Sequence, residues 1–169
     1  LSLVSTPDLD TLESLAVSQI LTNQSKEGGR LLDRVAQQHS LQQDTILRLG
    51  LGLIGLRQWE NSLTWLQQLN KPNSEALTAK AFALYQLREF AKALQEIQAI
   101  QAPYNQLDAV KGIELQSQIE LGQRKAGEQA LIALLKQPAK VDSSQFSYPF
   151  RLLQKQSLIE LDRNYLAGL

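Results

Sequence analysis

The strongest constraint on this chain is a segment that occurs twice in register. Trp59 aligns with Phe90, Ser62 with Ala93, Leu63 with Leu94, Leu66 with Ile97, Leu69 with Ile100 and Pro72 with Pro103. All six pairs lie 31 residues apart. A weaker third copy follows the same order with Gly127, Leu131, Leu134 and Pro138, its proline one place late. A repeat of this length is one supersecondary unit, too small to bury its apolar face alone, so neighbouring copies must stack.

Each copy is preceded by an amphipathic stretch. Leu47, Leu49, Leu51, Leu53, Ile54 and Leu56 precede the first, and Ala76, Leu77, Ala81, Leu84 and Leu87 the second. Val110, Ile113, Leu115, Ile119 and Leu121 precede the third. Spacings of three and four dominate, which is helical periodicity. Leucine makes up about a fifth of the chain and glutamine about an eighth, whereas Val and Thr are sparse. That balance favours helix over strand. The links Leu56-Arg57-Gln58, Leu87-Arg88-Glu89 and Leu121-Gly122-Gln123 are so short that the helices they join must run antiparallel. The recurring unit is a helical hairpin, and the fold class is all-α.

Two further helices are predicted ahead of the array, from about Pro7 to Leu21 and from about Lys26 to Gln38. Gly28 and Gly29 weaken the start of the second. Ala139 to Ser147 reads as a loop, and a final helix is expected from about Pro149 to Leu166. The expected organisation is one domain over 1–169, with about nine helices. It comprises an N-terminal hairpin at about 6–40, units at 43–72, 74–103 and 106–138, and a C-terminal capping helix at 149–167.

The hairpins resemble the tetratricopeptide repeat. That family has a small residue where the two helices cross, and Gly50 and Ala81 hold that place, although Leu115 does not. It has an aromatic residue after the turn, met by Trp59 and Phe90 but not by Arg124. Ser62, Ala93 and Gly127 supply the next small residue, and Pro72, Pro103 and Pro138 the proline near the end of the second helix. The resemblance covers about Gln43 to Pro138. It implies a right-handed superhelical array of antiparallel hairpins, an α-solenoid whose first helices line an inner groove.

That geometry implies groove positions Asp44, Leu47, Leu51, Ile54 and Gly55 in the first unit. It implies Glu75, Thr78, Phe82, Tyr85 and Gln86 in the second, and Ala109, Gly112, Gln116, Ile119 and Glu120 in the third. One subfamily clamps the C-terminal carboxylate of chaperones with lysine, asparagine and arginine. Here the equivalent places hold Leu47, Leu51, Ala79, Ala109 and Ile113, so the clamp is absent. The expected function is a non-enzymatic scaffold that holds a hydrophobic peptide or amphipathic helix of a protein partner. Leu47, Leu51, Ile54, Phe82, Tyr85, Gln86, Gln116 and Ile119 form the expected contact surface. Alanine at Phe82 and Tyr85 together is expected to abolish binding and leave helicity intact. The alternative is a structural or self-association domain whose groove is covered by its own segment Phe146-Ser147-Tyr148-Pro149-Phe150.

Composition narrows the chemistry. The 17 basic residues balance 17 acidic ones, so no field favours nucleic acid or an anionic membrane. With no cysteine and the single histidine His39, thiol chemistry and any site needing two imidazoles are excluded. No catalytic, cofactor or metal site is expected. His39 near a helix end reads as a cap, and Gly28-Gly29-Arg30 as a turn or helix start. Trp59 reads as core and Trp65 as partly exposed. No apolar run reaches the roughly 20 residues a membrane helix needs. The chain has no methionine, even at Leu1, which reads as a fragment or processed form. A processed bacterial envelope protein and a cytoplasmic domain fit equally well.

Overall fold

The computed structural model describes residues 7–136, 142–147 and 150–155. Among them the chain is all-helical and contains no strand. The order is α1 (Leu9–Leu21), α2 (Ser25–Gln38), α3 (Gln43–Gly55), α4 (Trp59–Leu66), α5 (Ser74–Gln86) and α6 (Phe90–Gln98). A 3-10 turn at Tyr104–Gln106 leads into α7 (Asp108–Glu120) and α8 (Arg124–Lys136). A second 3-10 turn, Ser143–Gln145, is followed by α9, helical over 150–155. Pro138, Tyr148, Pro149 and the rest of the expected capping helix lie outside the described residues.

The four hairpin turns share one backbone solution. Asn23, Arg57, Arg88 and Gly122 each adopt positive φ, at 70°, 60°, 63° and 104°. In every case the next N–H reaches back across the turn: Gln24 to Gln19 O at 2.9 Å, Gln58 to Leu53 O at 2.9 Å, Glu89 to Leu84 O at 2.8 Å and Gln123 to Gln118 O at 2.9 Å. This is the Schellman closure, which satisfies the last carbonyls of the first helix. Arginine is an unusual residue in the left-handed region. Here Arg57 lies 5.8 Å over the Trp59 ring and Arg88 5.5 Å over the Phe90 ring, contacts that offset part of the strain.

Small residues mark each helix crossing. The pairs are Ala16 with Gly28, Gly50 with Ser62, Ala81 with Ala93, and Leu115 with Gly127. Ser62 Oγ donates to Gly50 O at 2.7 Å. A methyl group on Gly28 would stand 2.7 Å from Ala16 O, and one on Gly127 would stand 2.5 Å from Ile119 Cγ1 and 3.5 Å from Leu115 O. The third unit departs from the pattern at Leu115 because its glycine sits on the second helix instead. Gly28 lies near the start of α2 and at the crossing, so of the two expected readings, turn or helix start, the second holds.

Within hairpins α1 packs on α2, α3 on α4, α5 on α6 and α7 on α8. Between hairpins α4 meets α5 and α6 meets α7, and the first helices also touch in series: α1 with α3, α3 with α5 and α5 with α7. A side-chain bond recurs with this packing. Gln43 Oε1 accepts from Asn70 N–H at 3.0 Å, and Ser74 Oγ accepts from Gln101 N–H at 3.2 Å. Both bonds tie the start of a first helix to the chain leaving the second.

The first two hairpins meet over Ala16, Val17, Leu32 and Leu49, with Trp65 half-buried against them. Above this contact lies a buried carboxylate, Glu13, only 1% exposed. It accepts from the hydroxyl of Thr45 and from Gln42 N–H, and His39 Nε2 stands 2.9 Å from its Oε1. His39 is also the C-cap of α2, its N–H bonding Val35 O at 3.1 Å. A carboxylate at such a position is tolerable because the Thr45 hydroxyl and the Gln42 N–H are aimed at it.

Candidate functional site

The exposed rims of α3, α5 and α7 define one face, and most of its side chains are covered. Leu51, Ile54, Phe82 and Tyr85 are buried, and Leu47 is half-buried against the same cluster. Phe146, Phe150 and Leu153 belong to that cluster as well, at 4%, 0% and 2% exposure. The segment that precedes and begins α9 is thus packed into the apolar face that the first helices share.

Aromatic rings organise the contact. Phe82 meets Trp59 edge-on, with ring centroids 5.6 Å apart. Tyr85 packs on Phe90 at 5.8 Å. Tyr104 faces both Phe146 at 5.0 Å and Phe150 at 5.4 Å, and these two lie 5.5 Å from each other. Such tilted and edge-on pairs add modestly to the area they bury. Phe82 has no exposed surface, so it belongs to the core beneath this face. Alanine at Phe82 and Tyr85 would therefore test core stability together with binding.

One polar anchor sits inside this apolar contact. Glu75, in the first turn of α5 and 7% exposed, accepts the Ser147 hydroxyl at 2.8 Å and the Ser147 N–H at 3.2 Å. Ser147 Oγ in turn accepts from Phe150 N–H at 3.3 Å. The Tyr104 phenol lies beside the Glu75 carboxylate. Burial pushes Tyr104 above its ordinary value, and the neighbouring Glu75 charge adds to the shift. Asp142 begins the same segment, with Oδ1 accepting Ser144 N–H at 2.9 Å. That bond holds the Asp142 carboxyl below its usual range.

The remaining expected positions divide. Gln86 is half-buried, and Gln116 is 9% exposed. Ile119 lies over Gly127, so its side chain serves the crossing of α7 with α8. Asp44 pairs with Arg48 on the surface at 3.0 Å, and Thr78 bonds back to Ser74 O at 2.7 Å. Beside α9 lies an open cleft lined by Leu21, Leu51, Gly52, Gly55, Leu56 and Leu152 with Leu153.

The sequence marked the aromatic segment and placed Glu75 among the expected inner-face positions, but did not join the two. A carboxylate among apolar groove positions was the available signal for Glu75. Tyr104, in the short turn between α6 and α7, carried no periodic signal. Among the described residues no group of three or more His, Cys, Asp or Glu side chains is placed to hold a metal ion, and no helix is long and apolar enough to cross a membrane.

No protein-family model, curated protein or solved structure matches this chain.

Proposed function

We propose that this chain is a non-enzymatic protein-interaction module built as a short tetratricopeptide-like array. In this reading the hairpins stack as a right-handed superhelix, and the face of α3, α5 and α7 is its inner groove. The ligand is a hydrophobic peptide or amphipathic helix of a protein partner. The observation that carries the reading is the seating of Phe146, Phe150 and Leu153 among Leu51, Ile54 and Phe82. A groove that receives an aromatic segment of its own chain has the shape and chemistry to receive another like it.

The same observation favours a second reading. If the segment never leaves, the groove is a closed core and the domain is structural or self-associating within a larger assembly. A photo-crosslinking residue at Leu47 or Gln86, compared with one at the exposed positions Glu60 or Ala91, separates the two. The module reading expects an isolable partner crosslinked from positions 47 and 86 only, through an apolar or amphipathic peptide. Crosslinks confined to residues 142–155 of the same chain, or partners captured only from positions 60 and 91, would overturn it.

A further inference from the structure

The groove holds more information than its apolarity. Two side chains, Glu75 and Tyr104, act on one serine and its two aromatic neighbours. Glu75 accepts both the hydroxyl and the backbone N–H of Ser147, at 2.8 and 3.2 Å. Tyr104 sets its phenol beside the Glu75 charge and turns its ring toward Phe146 and Phe150. Leu153 completes the buried stripe at 2% exposure.

A buried carboxylate is costly unless donors are brought to it. In this site the segment supplies two of those donors. The Ser147 hydroxyl is used at both ends: it gives its proton to Glu75 and takes one from Phe150 N–H. A hydroxyl does both through one atom, which Ser and Thr supply, whereas Ala does neither and an ionised acid can only accept. The aromatic residues at 146 and 150 then fall on one side of the turn, their rings 5.5 Å apart. Charge-assisted bonds of this kind carry more of the affinity than neutral ones.

We propose that residues 142–155 are an internal pseudo-ligand. The partner that this groove takes in trans is a protein segment of pattern aromatic, Ser or Thr, two residues, aromatic, two residues, aliphatic. The inference rests on the groove reading above and specifies its ligand. Glu75 is the specificity-determining residue, and Tyr104 positions it. The segment in cis acts as a competitor at high effective concentration, so a trans ligand must be abundant or locally tethered to displace it.

The absence of cysteine supplies the test. In the full chain carrying L153C, the single thiol is buried when the segment is docked and reacts with a thiol reagent when it is displaced. An unlabelled synthetic peptide of residues 142–155, added at millimolar concentration, should raise the labelling rate several-fold. The same peptide with Ser147→Ala should need about tenfold more to reach that rate, the loss expected for one charge-assisted hydrogen bond. In the E75Q, L153C chain the two peptides should become nearly equal. Equal potency of the two peptides on the Glu75 chain would overturn the serine code and leave the groove reading standing. No acceleration by either peptide at millimolar concentration would overturn the groove reading itself. If L153C lowers helicity, amide hydrogen exchange at Phe150 and Leu153 in the unsubstituted chain gives the same readout with the same two failure outcomes.

Discussion

Gly50 of α3 lies against Leu66 of α4 so closely that a methyl group on Gly50 would stand 2.3 Å from Leu66 Cδ2 and 2.4 Å from its Cγ. Leu66 is 1% exposed and has no room to retreat. Gly50→Ala should destabilise the chain by about 1–3 kcal/mol through overpacking, despite the better helix propensity of alanine. Neighbouring glycines in α2 give an internal contrast. A methyl group on Gly28 would strike the Ala16 carbonyl at 2.7 Å, whereas one on Gly29 meets nothing within 4 Å. Gly29→Ala should therefore stabilise by up to about 1 kcal/mol, and Gly28→Ala should destabilise. Urea denaturation of the three variants checks the signs. Two signs alike at adjacent positions 28 and 29 would refute the crossing geometry.

The turns make a second prediction. Gly122 at φ 104° occupies the place that Arg57 and Arg88 hold in the left-handed region. Gly122→Ala should cost about 1 kcal/mol, because a Cβ there meets the neighbouring carbonyl. Arg88→Gly exchanges two opposed effects, relief of backbone strain and loss of the stack 5.5 Å over Phe90. Its net change should stay within about 1 kcal/mol of zero. Thermal melts of both variants decide it, and a Gly122→Ala protein as stable as the parent would count against the shared turn.

Lys80 Nζ lies 2.8 Å from Glu96 Oε1, with the two side chains 15% and 23% exposed. One unit earlier the same two places hold Leu49 and Trp65, an apolar pair. Glu96→Ala should destabilise by about 1–2 kcal/mol, less than a fully buried pair because both ends keep some solvent. Replacing both, as Lys80→Leu with Glu96→Trp, should be neutral or stabilising if the two units present equivalent surfaces. A double variant less stable than Glu96→Ala alone would show that the interfaces are not interchangeable.

These residues also show what a sequence can disclose here. Trp59 and Phe90 made the hairpins legible because an aromatic after the turn repeats in register. The N-terminal hairpin was legible as two helices, but its kinship to the later units was not, because Ser25 stands where Trp59 stands 34 residues later and Gly28 weakens the helix start until its neighbour Ala16 is seen. Leu115 looked like a lost repeat, yet Gly127 supplies the missing space from the facing helix. Leu51, Ile54 and Phe82, which the repeat resemblance put on one face, lie buried in one cluster. Periodicity could not assign what covers a face. Glu75 and Ser147 meet across 72 residues of chain, and no local pattern links positions so far apart.

Tyr104 gives the last prediction, and its sign follows from the direction of its shift. Burial first, then the Glu75 charge, raise its pKa above the ordinary 10.0. The neutral phenol is thus favoured in the folded state. The stabilisation it contributes is complete below the unfolded value and is lost as pH rises through the folded one. Ionisation sets a phenolate beside a carboxylate, a like-charge contact that loosens the segment holding Phe146 and Phe150. With 4-fluorophenylalanine in place of Phe150, the fluorine resonance should shift toward its solvent-exposed position above about pH 10. In Tyr104→Phe that alkaline step should disappear, while docking at neutral pH weakens only modestly because the ring contacts remain. An identical alkaline transition with and without the phenol would show that Tyr104 does not govern the contact.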